Sequence, residues 1–341
     1  MPELLAGHTT LRLGGPAQEW VTAGTEAELV AAVRDAPGEV LVLGGGSNLV
    51  VADDGVPGRV VQVATRGVTT DAQDDAGDPS CGGVLVRVAA GEPWDDLVAL
   101  AVERGWVGIE ALAGIPGLVG ATPIQNVGAY GQEVAQTIAA VRTWDRHEDR
   151  QRTFAAADCG FAYRHSRFKA EPGRFVVLEV TFQLRQGTLG APVTYAELAR
   201  TLGVEVGERA PLAHVRAAVL GLRRAKGMVL DATDHDTWSA GSFFTNPVVP
   251  HEQVPDGAPA WPAGEGLAKT SAAWLIEHAG FGKGYGDAAV SLSTKHTLAL
   301  THRGGASTEQ LLALAREVRD GVEARFGIRL VNEPVLVGCR L

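Results

Sequence analysis

The segment Gly114-Ile-Pro-Gly-Leu-Val-Gly-Ala-Thr-Pro-Ile-Gln-Asn-Val-Gly-Ala-Tyr-Gly131 constrains this chain more than any other. It holds too much glycine for an ordinary helix or strand, and too little charge for a solvent loop. Glycine lacks a Cβ, so backbone can turn with positive φ or approach another group closely. Buried backbone amides must find acceptors. A glycine-lined, apolar segment therefore predicts donors aimed at a bound ligand, and a phosphate-bearing cofactor suits them. The alternative is a run of tight turns between core elements.

A second glycine cluster points the same way. Val40-Leu-Val-Leu43 reads as a short buried strand that runs into Gly44-Gly45-Gly46-Ser47-Asn48, after which Leu49-Val-Val51 resumes the apolar run. Consecutive glycines at a strand end can form a nest of N–H groups for an anion. The dinucleotide fingerprint G-x-G-x-x-G would need glycine at Leu49 and a helix after it, and neither is present. Gly264-Glu-Gly-Leu-Ala-Lys-Thr270 has Ala268 where a P-loop needs glycine, so that reading fails too.

With 341 residues the chain is long for one core and comfortable for two or three domains. At 45% hydrophobic and 21% charged it has the balance of a soluble globular protein. No apolar run approaches the roughly 18 residues of a membrane span. The first residues lack the basic and apolar regions of a signal peptide, so a cytoplasmic location is expected. Cys81, Cys159 and Cys339 are odd in number and widely spaced, which suits reduced thiols rather than a disulfide framework. A net charge of −10 argues against non-specific nucleic-acid binding. It leaves room for an anionic small molecule held by a few placed cations.

Helical periodicity predicts helices over Glu26 to Ala36, Trp94 to Arg104, Pro211 to Lys226 and Ser271 to Ala279. Another follows the capping box Ser307-Thr-Glu-Gln310 and closes at Gly327. Strands are expected at 59–63, 84–89, 141–144 and 175–182, with a last strand carrying Glu333. This is an α+β or mixed α/β chain whose character changes near residues 186 to 215.

Four places could carry chemistry. Tyr163-Arg164-His-Ser-Arg-Phe-Lys169 sets three cations beside an aromatic, either as a solvated basic face or as an anion clamp. In Ser239-Ala-Gly-Ser242-Phe-Phe-Thr-Asn-Pro247 small residues expose Ser242. No G-x-S-x-G elbow supports a nucleophile, but a serine there could donate a proton to a strongly basic carbon. Asp234-His-Asp236 lacks metal-site spacing and reads as a solvated loop, so no metal is expected. Glu333, before Pro334 in an apolar stretch, is an unusual carboxylate.

Together these segments resemble the UDP-N-acetylenolpyruvoylglucosamine reductases (UDP-N-acetylmuramate dehydrogenases) over nearly the whole chain, Thr9 to Gly338. The motifs are Leu43 to Leu49, Gly114 to Gly131, Phe161-Ala-Tyr-Arg-His-Ser-Arg-Phe-Lys169, Gly241-Ser-Phe-Phe-Thr-Asn-Pro247 and Glu333-Pro334. The resemblance implies an α+β architecture. A vanillyl-alcohol-oxidase-type FAD-binding domain of two subdomains (1–187) and a connecting segment with a substrate-covering loop (188–214) come first. A separate α+β substrate-binding domain (215–330) and a strand returning to the active site (331–341) follow.

By the same resemblance FAD is held non-covalently by Gly44, Gly45, Gly46, Ser47, Asn48, Gly114, Ile115, Pro116, Gly117, Gly120, Ala121, Gln125, Asn126, Gly128, Ala129 and Tyr130. NADPH is the co-substrate, a preference over NADH that the resemblance alone carries. The substrate is a UDP-sugar enolpyruvyl ether, UDP-N-acetylglucosamine enolpyruvate, reduced to UDP-N-acetylmuramate for peptidoglycan. Reduced flavin delivers hydride to C3, Ser242 matches the proton donor to C2, and Arg164 and Glu333 match the pair that stabilises the enolate. A bare carboxylate would repel that enolate, so Glu333 must be protonated or act through a water.

Tyr163, Tyr195, Lys226 and Asn246 match substrate contacts, Tyr195 in the manner of the family's longer branch. The chain departs from better-known longer members by extra residues between Lys226 and Ser242, and by Gly-Tyr-Gly-Asp287 where they carry a glutamine. Two other readings are a flavoprotein of this fold acting on another small alcohol or sugar, and a non-enzymatic flavin-binding module. A monomer is expected.

Overall fold

The protein is described by a computed structural model covering residues 2–71 and 83–341; Cys81 lies outside the described residues. The chain divides into two compact units of interleaved segments. One comprises Met1–Gln18, Gly46–Pro57 and Ala225–Leu341, and the other Glu19–Gly45 and Gly58–Arg224. The limits expected from sequence were consecutive blocks.

The second unit is built on two sheets. In the smaller, strand Val56–Val63 lies between Ala17–Ala23 and Val40–Leu43, and pairs with the latter in parallel. Helix Glu26–Arg34 starts at a Thr25–Glu28 capping box and buries Leu29, Ala32 and Val33. The larger sheet runs in the order Arg150–Ala155, Ile138–Asp145, Phe175–Gln186, Gly83–Ala89, Val68–Thr70. Its register sets Val180 opposite both Val141 and Val88, so one row of β-branched side chains crosses three strands.

Helix Trp94–Glu103 buries Trp94, Leu97, Val98 and Ala101, and Gly105 follows with φ of 70°. Trp94 meets Phe182 with ring centroids 6.0 Å apart and donates its indole N–H to the Leu112 carbonyl at 3.0 Å. Its large apolar body and single donor are thus both satisfied.

The first unit has a core drawn from distant parts of the sequence. Leu11, Leu13 and Val50 pack with Phe243, Phe244, Leu275, Leu292, Leu311 and Val318. Helix Thr308–Phe326 begins at the Ser307–Gln310 capping box and ends at Gly327 in the left-handed conformation, as the sequence predicts. Helices 211–226 and 271–279 were expected, and they run Leu212–Ala225 and Ala272–His278.

One expectation is corrected. Glu333 does not lie on the final strand, which is Val335–Val337 and pairs in parallel with Leu49–Val51. Pro334 has no N–H and cannot donate to a ladder, so the chain changes partner there. Before it, Glu333 N–H donates to the Phe243 carbonyl at 2.8 Å; after it, Val335 N–H donates to the Asn48 carbonyl at 2.9 Å.

Candidate active site

Within the second unit the two glycine clusters come together. A Cβ on Gly45 would lie 2.7 Å from the Gly117 Cα, and one on Gly44 would meet Leu118 at 3.8 Å. At Gly45 backbone packs on backbone, a close approach that the missing Cβ permits, while Gly44 packs on the Leu118 side chain.

Not every amide of the long segment faces outward. Gly114 N–H donates to the Asp95 carboxylate at 2.6 Å, and Gly120 N–H donates to the Ala90 carbonyl at 2.8 Å. Asp95 also accepts from Arg216 at 2.8 Å. Glu110, 1% exposed, accepts from Gly108 N–H, Gln132 Nε2 and Ala191 N–H at 2.7, 2.9 and 2.6 Å. It thereby ties the glycine segment to the start of the loop bearing Tyr195. Tyr195, half-exposed, sets its ring edge-on to Tyr130 at 5.4 Å.

Asn126 is buried in the left-handed conformation, φ 44°. Its side chain donates to Glu133 Oε2 and to the Ala162 carbonyl, both at 3.0 Å, and accepts from Ala135 N–H at 3.2 Å. That amide braces the protein itself. Gln125, also buried, accepts from Lys169 Nζ at 2.9 Å.

Ala162 and His165 exchange two backbone hydrogen bonds, closing a tight turn over Tyr163 and Arg164. Arg164 holds φ of 51°, a conformation a long side chain adopts at a cost of about 1 kcal/mol or more. Its guanidinium donates to the Asn126 carbonyl at 3.4 Å and to the Gly128 carbonyl at 3.0 Å. It lies 5.6 Å from the Tyr163 ring centre. Arg223, on helix Leu212–Ala225, is desolvated by burial to a pKa of about 10, against the opposing pull of Tyr130 and Asp95.

Within the first unit the segments bearing Ser242 and Glu333 pair antiparallel. Thr245 N–H donates to the Val331 carbonyl at 3.0 Å, and Glu333 N–H to the Phe243 carbonyl. Asn48 Nδ2 reaches the Glu333 carbonyl at 3.5 Å. Phe243 and Phe244 are buried and anchor the segment, while Ser242 is half-exposed beside Gly241 at φ 74°. Gly46 needs its missing Cβ because the His8 carbonyl would lie 2.0 Å from it. Lys226 follows Leu212–Ala225 directly and is half-buried. Asn246 Oδ1 accepts from Ala272 N–H at 3.0 Å, so one end of that amide caps a helix.

Asp234 and Asp236 are held by partners rather than free in a solvated loop. Asp234 pairs with Lys295, and Asp236 accepts from Thr294 and from Arg303. Burial pushes the Asp236 pKa up, but the Thr294 hydrogen bonds and the Arg303 charge leave it below the ordinary value. Burial raises the Cys159 thiol to about 11, which removes it as a nucleophile near neutrality.

Asp95, Glu110 and the bracing role of Asn126 escape a reading by motif. A carboxylate in the first turn of Trp94–Glu103 signals only favourable helix electrostatics, and nothing local names its distant partner.

The family profile described as UDP-N-acetylenolpyruvoylglucosamine reductase, C-terminal domain, matches residues 232–337, and an FAD binding domain profile matches 17–152. UDP-N-acetylenolpyruvoylglucosamine reductase of Cutibacterium acnes is 60% identical, covering 99% of this chain and 90% of the relative. The same-named protein of Thermobifida fusca is 55% identical over 99% and 97%. The crystal structure of UDP-N-acetylenolpyruvylglucosamine reductase from Thermus caldophilus superposes with a TM-score of 0.68 at 27% identity, covering 99% and 98% of the two chains. With a profile, full-length relatives and a solved fold in agreement, the chain belongs to the UDP-N-acetylenolpyruvoylglucosamine reductase family.

Proposed function

We propose that this protein reduces UDP-N-acetylglucosamine enolpyruvate to UDP-N-acetylmuramate with FAD and NADPH, as a cytoplasmic monomer in peptidoglycan precursor synthesis. Bound FAD would supply hydride chemistry between NADPH and C3 of the enolpyruvyl group. Negative charge then develops at C2 and the carboxylate. Arg164 neutralises the carboxylate with a guanidinium already oriented by the carbonyls of Asn126 and Gly128. Donors fixed before charge appears need no reorganisation, and that is a large share of catalysis in many enzymes. Glu333, protonated or through a water, supports the enolate, and Ser242 gives its proton to C2.

Gly44 and Gly45 against Gly117 and Leu118 would hold part of the FAD, by the close approach described above. Tyr163, Tyr195, Lys226 and Asn246 would contact the nucleotide sugar.

The observation that carries this reading is the antiparallel pairing of the Ser242 segment with Glu333, bonded in turn to Asn48. An oxidase or a passive flavin binder has no use for an acid and a carboxyl held on paired chains. Ser242→Ala tests it. Reduction of the bound flavin by NADPH should stay near the wild-type rate. Reoxidation by the enolpyruvyl sugar should fall by about 10²–10⁴. Equal slowing of both half-reactions would make Ser242 structural.

A further inference from the structure

Lys169 lies outside every role assigned above, yet it is built into the Arg164 turn. The short helix Arg167–Ala170 is fixed at both ends of its side-chain set. Ser166, fully buried, caps it by accepting from Lys169 N–H at 3.2 Å and donates to the Ile124 carbonyl at 2.8 Å. Phe168 is buried edge-on against Phe154 and Phe175, at 5.6 and 5.9 Å between ring centres. From this fixed base the Lys169 ammonium donates to the Arg164 carbonyl at 3.0 Å and to Gln125 Oε1 at 2.9 Å. Charge-assisted bonds of this kind are roughly twice as strong as neutral ones.

The peptide carbonyl it grips belongs to the residue held at φ 51°. A conformation that a non-glycine residue disfavours persists only when its surroundings over-determine it. Three tethers do so here. Asn126 Nδ2 holds the Ala162 carbonyl at one end of the turn, the guanidinium is tied to Asn126 and Gly128, and Lys169 holds the Arg164 backbone. All three tethers begin on or reach the Gln125–Gly128 stretch, so turn and guanidinium are registered to one piece of chain.

We propose that Lys169 is a positioning residue, which holds the strained Arg164 backbone through its carbonyl and so aims the guanidinium at the substrate carboxylate. This rests on the reading of Arg164 as the carboxylate partner.

The test is a double-mutant cycle on the FAD-loaded enzyme, with the two half-reactions followed separately under anaerobic conditions. Lys169→Met should slow flavin reoxidation by the enolpyruvyl sugar by about 10- to 100-fold, the effect of a misplacement near 1 Å. Lys169→Arg, which keeps donors at the chain end, should recover most of that loss. Arg164→Met should slow the same step by about 10²–10³. The double variant should be no slower than Arg164→Met alone, because Lys169 acts through Arg164.

A Lys169→Met enzyme that reoxidises at the wild-type rate, or whose defect multiplies fully with that of Arg164→Met, overturns the inference while leaving Arg164 in place. So does a Lys169→Arg enzyme no faster than Lys169→Met. An Arg164→Met enzyme that reoxidises at the wild-type rate overturns the reading of Arg164, and the inference with it. If Lys169→Met fails to retain flavin, Lys169→Gln replaces it in the same cycle.

Discussion

Single residues carry both the clearest signals and the deepest silences of this sequence. Ser242 and Glu333 stand out because each is polar inside a glycine-rich or apolar motif, and Arg164 because it sits among cations beside an aromatic. The partners that brace them are silent. Nothing local to Asn126 says that its amide holds Ala162, and Lys169 reads as one cation of a basic run until its ammonium is found on the Arg164 carbonyl. Gly45 shows the limit from the other side. Its membership of a glycine cluster is legible, but the Gly117 backbone it must admit is remote in sequence. Gly45→Ala would force that contact apart, an overpacking cost of about 1–3 kcal/mol. FAD titration of the apoprotein should show a Kd raised by about ten- to a hundredfold. An unchanged Kd would mean that this approach does not shape the cofactor site.

At the level of elements, local chemistry is a good guide to where helices start and a poor one to which strands pair. The capping box at Ser307 acts within four residues, so sequence and structure agree on where that helix starts. Strand partners are set by tertiary packing. The stretch Leu330–Val337 reads as one apolar strand, yet Pro334 divides it between two partners. The hairpin of strands Ile138–Asp145 and Arg150–Ala155 carries another feature hidden from periodicity. Asp145, with no exposed surface, accepts from Arg174 and Arg152 and from the amides of His147 and Glu148. The Arg174 hydrogen bonds hold its pKa well below the ordinary carboxylate value, against burial. The unfolded chain therefore takes up the proton first. The stability Asp145 supplies is complete above about pH 4 and falls away as the pH drops through the lowered folded value. Asp145→Asn should cost about 3 kcal/mol near neutrality. Urea melts at pH 6 and pH 3 should show the wild type losing more stability on acidification than the variant; equal losses would remove Asp145 from the acid response.

The whole molecule was legible as a family before it was legible as an arrangement. Motif order and spacing point to the reductase family, and full-length relatives agree. The two compact units, by contrast, are interleaved along the chain. The reason is physical: Val335–Val337 pairs with Leu49–Val51, and Leu11, Leu13 and Val50 join a core supplied by the C-terminal third. Hydrophobic pattern marks which residues are buried but not which other segment buries them. Among the described residues no helix is long and apolar enough to cross a membrane.

If the protein works as proposed, one chain runs two half-reactions through one flavin. The direct measurement is the absorbance spectrum of the purified, FAD-loaded protein through anaerobic addition of NADPH and then of UDP-N-acetylglucosamine enolpyruvate. Flavin bands should bleach with NADPH and return with the enolpyruvyl sugar. Bands that return only when oxygen is admitted would contradict the proposed substrate, and a protein that takes up no FAD would contradict the cofactor reading of both glycine clusters.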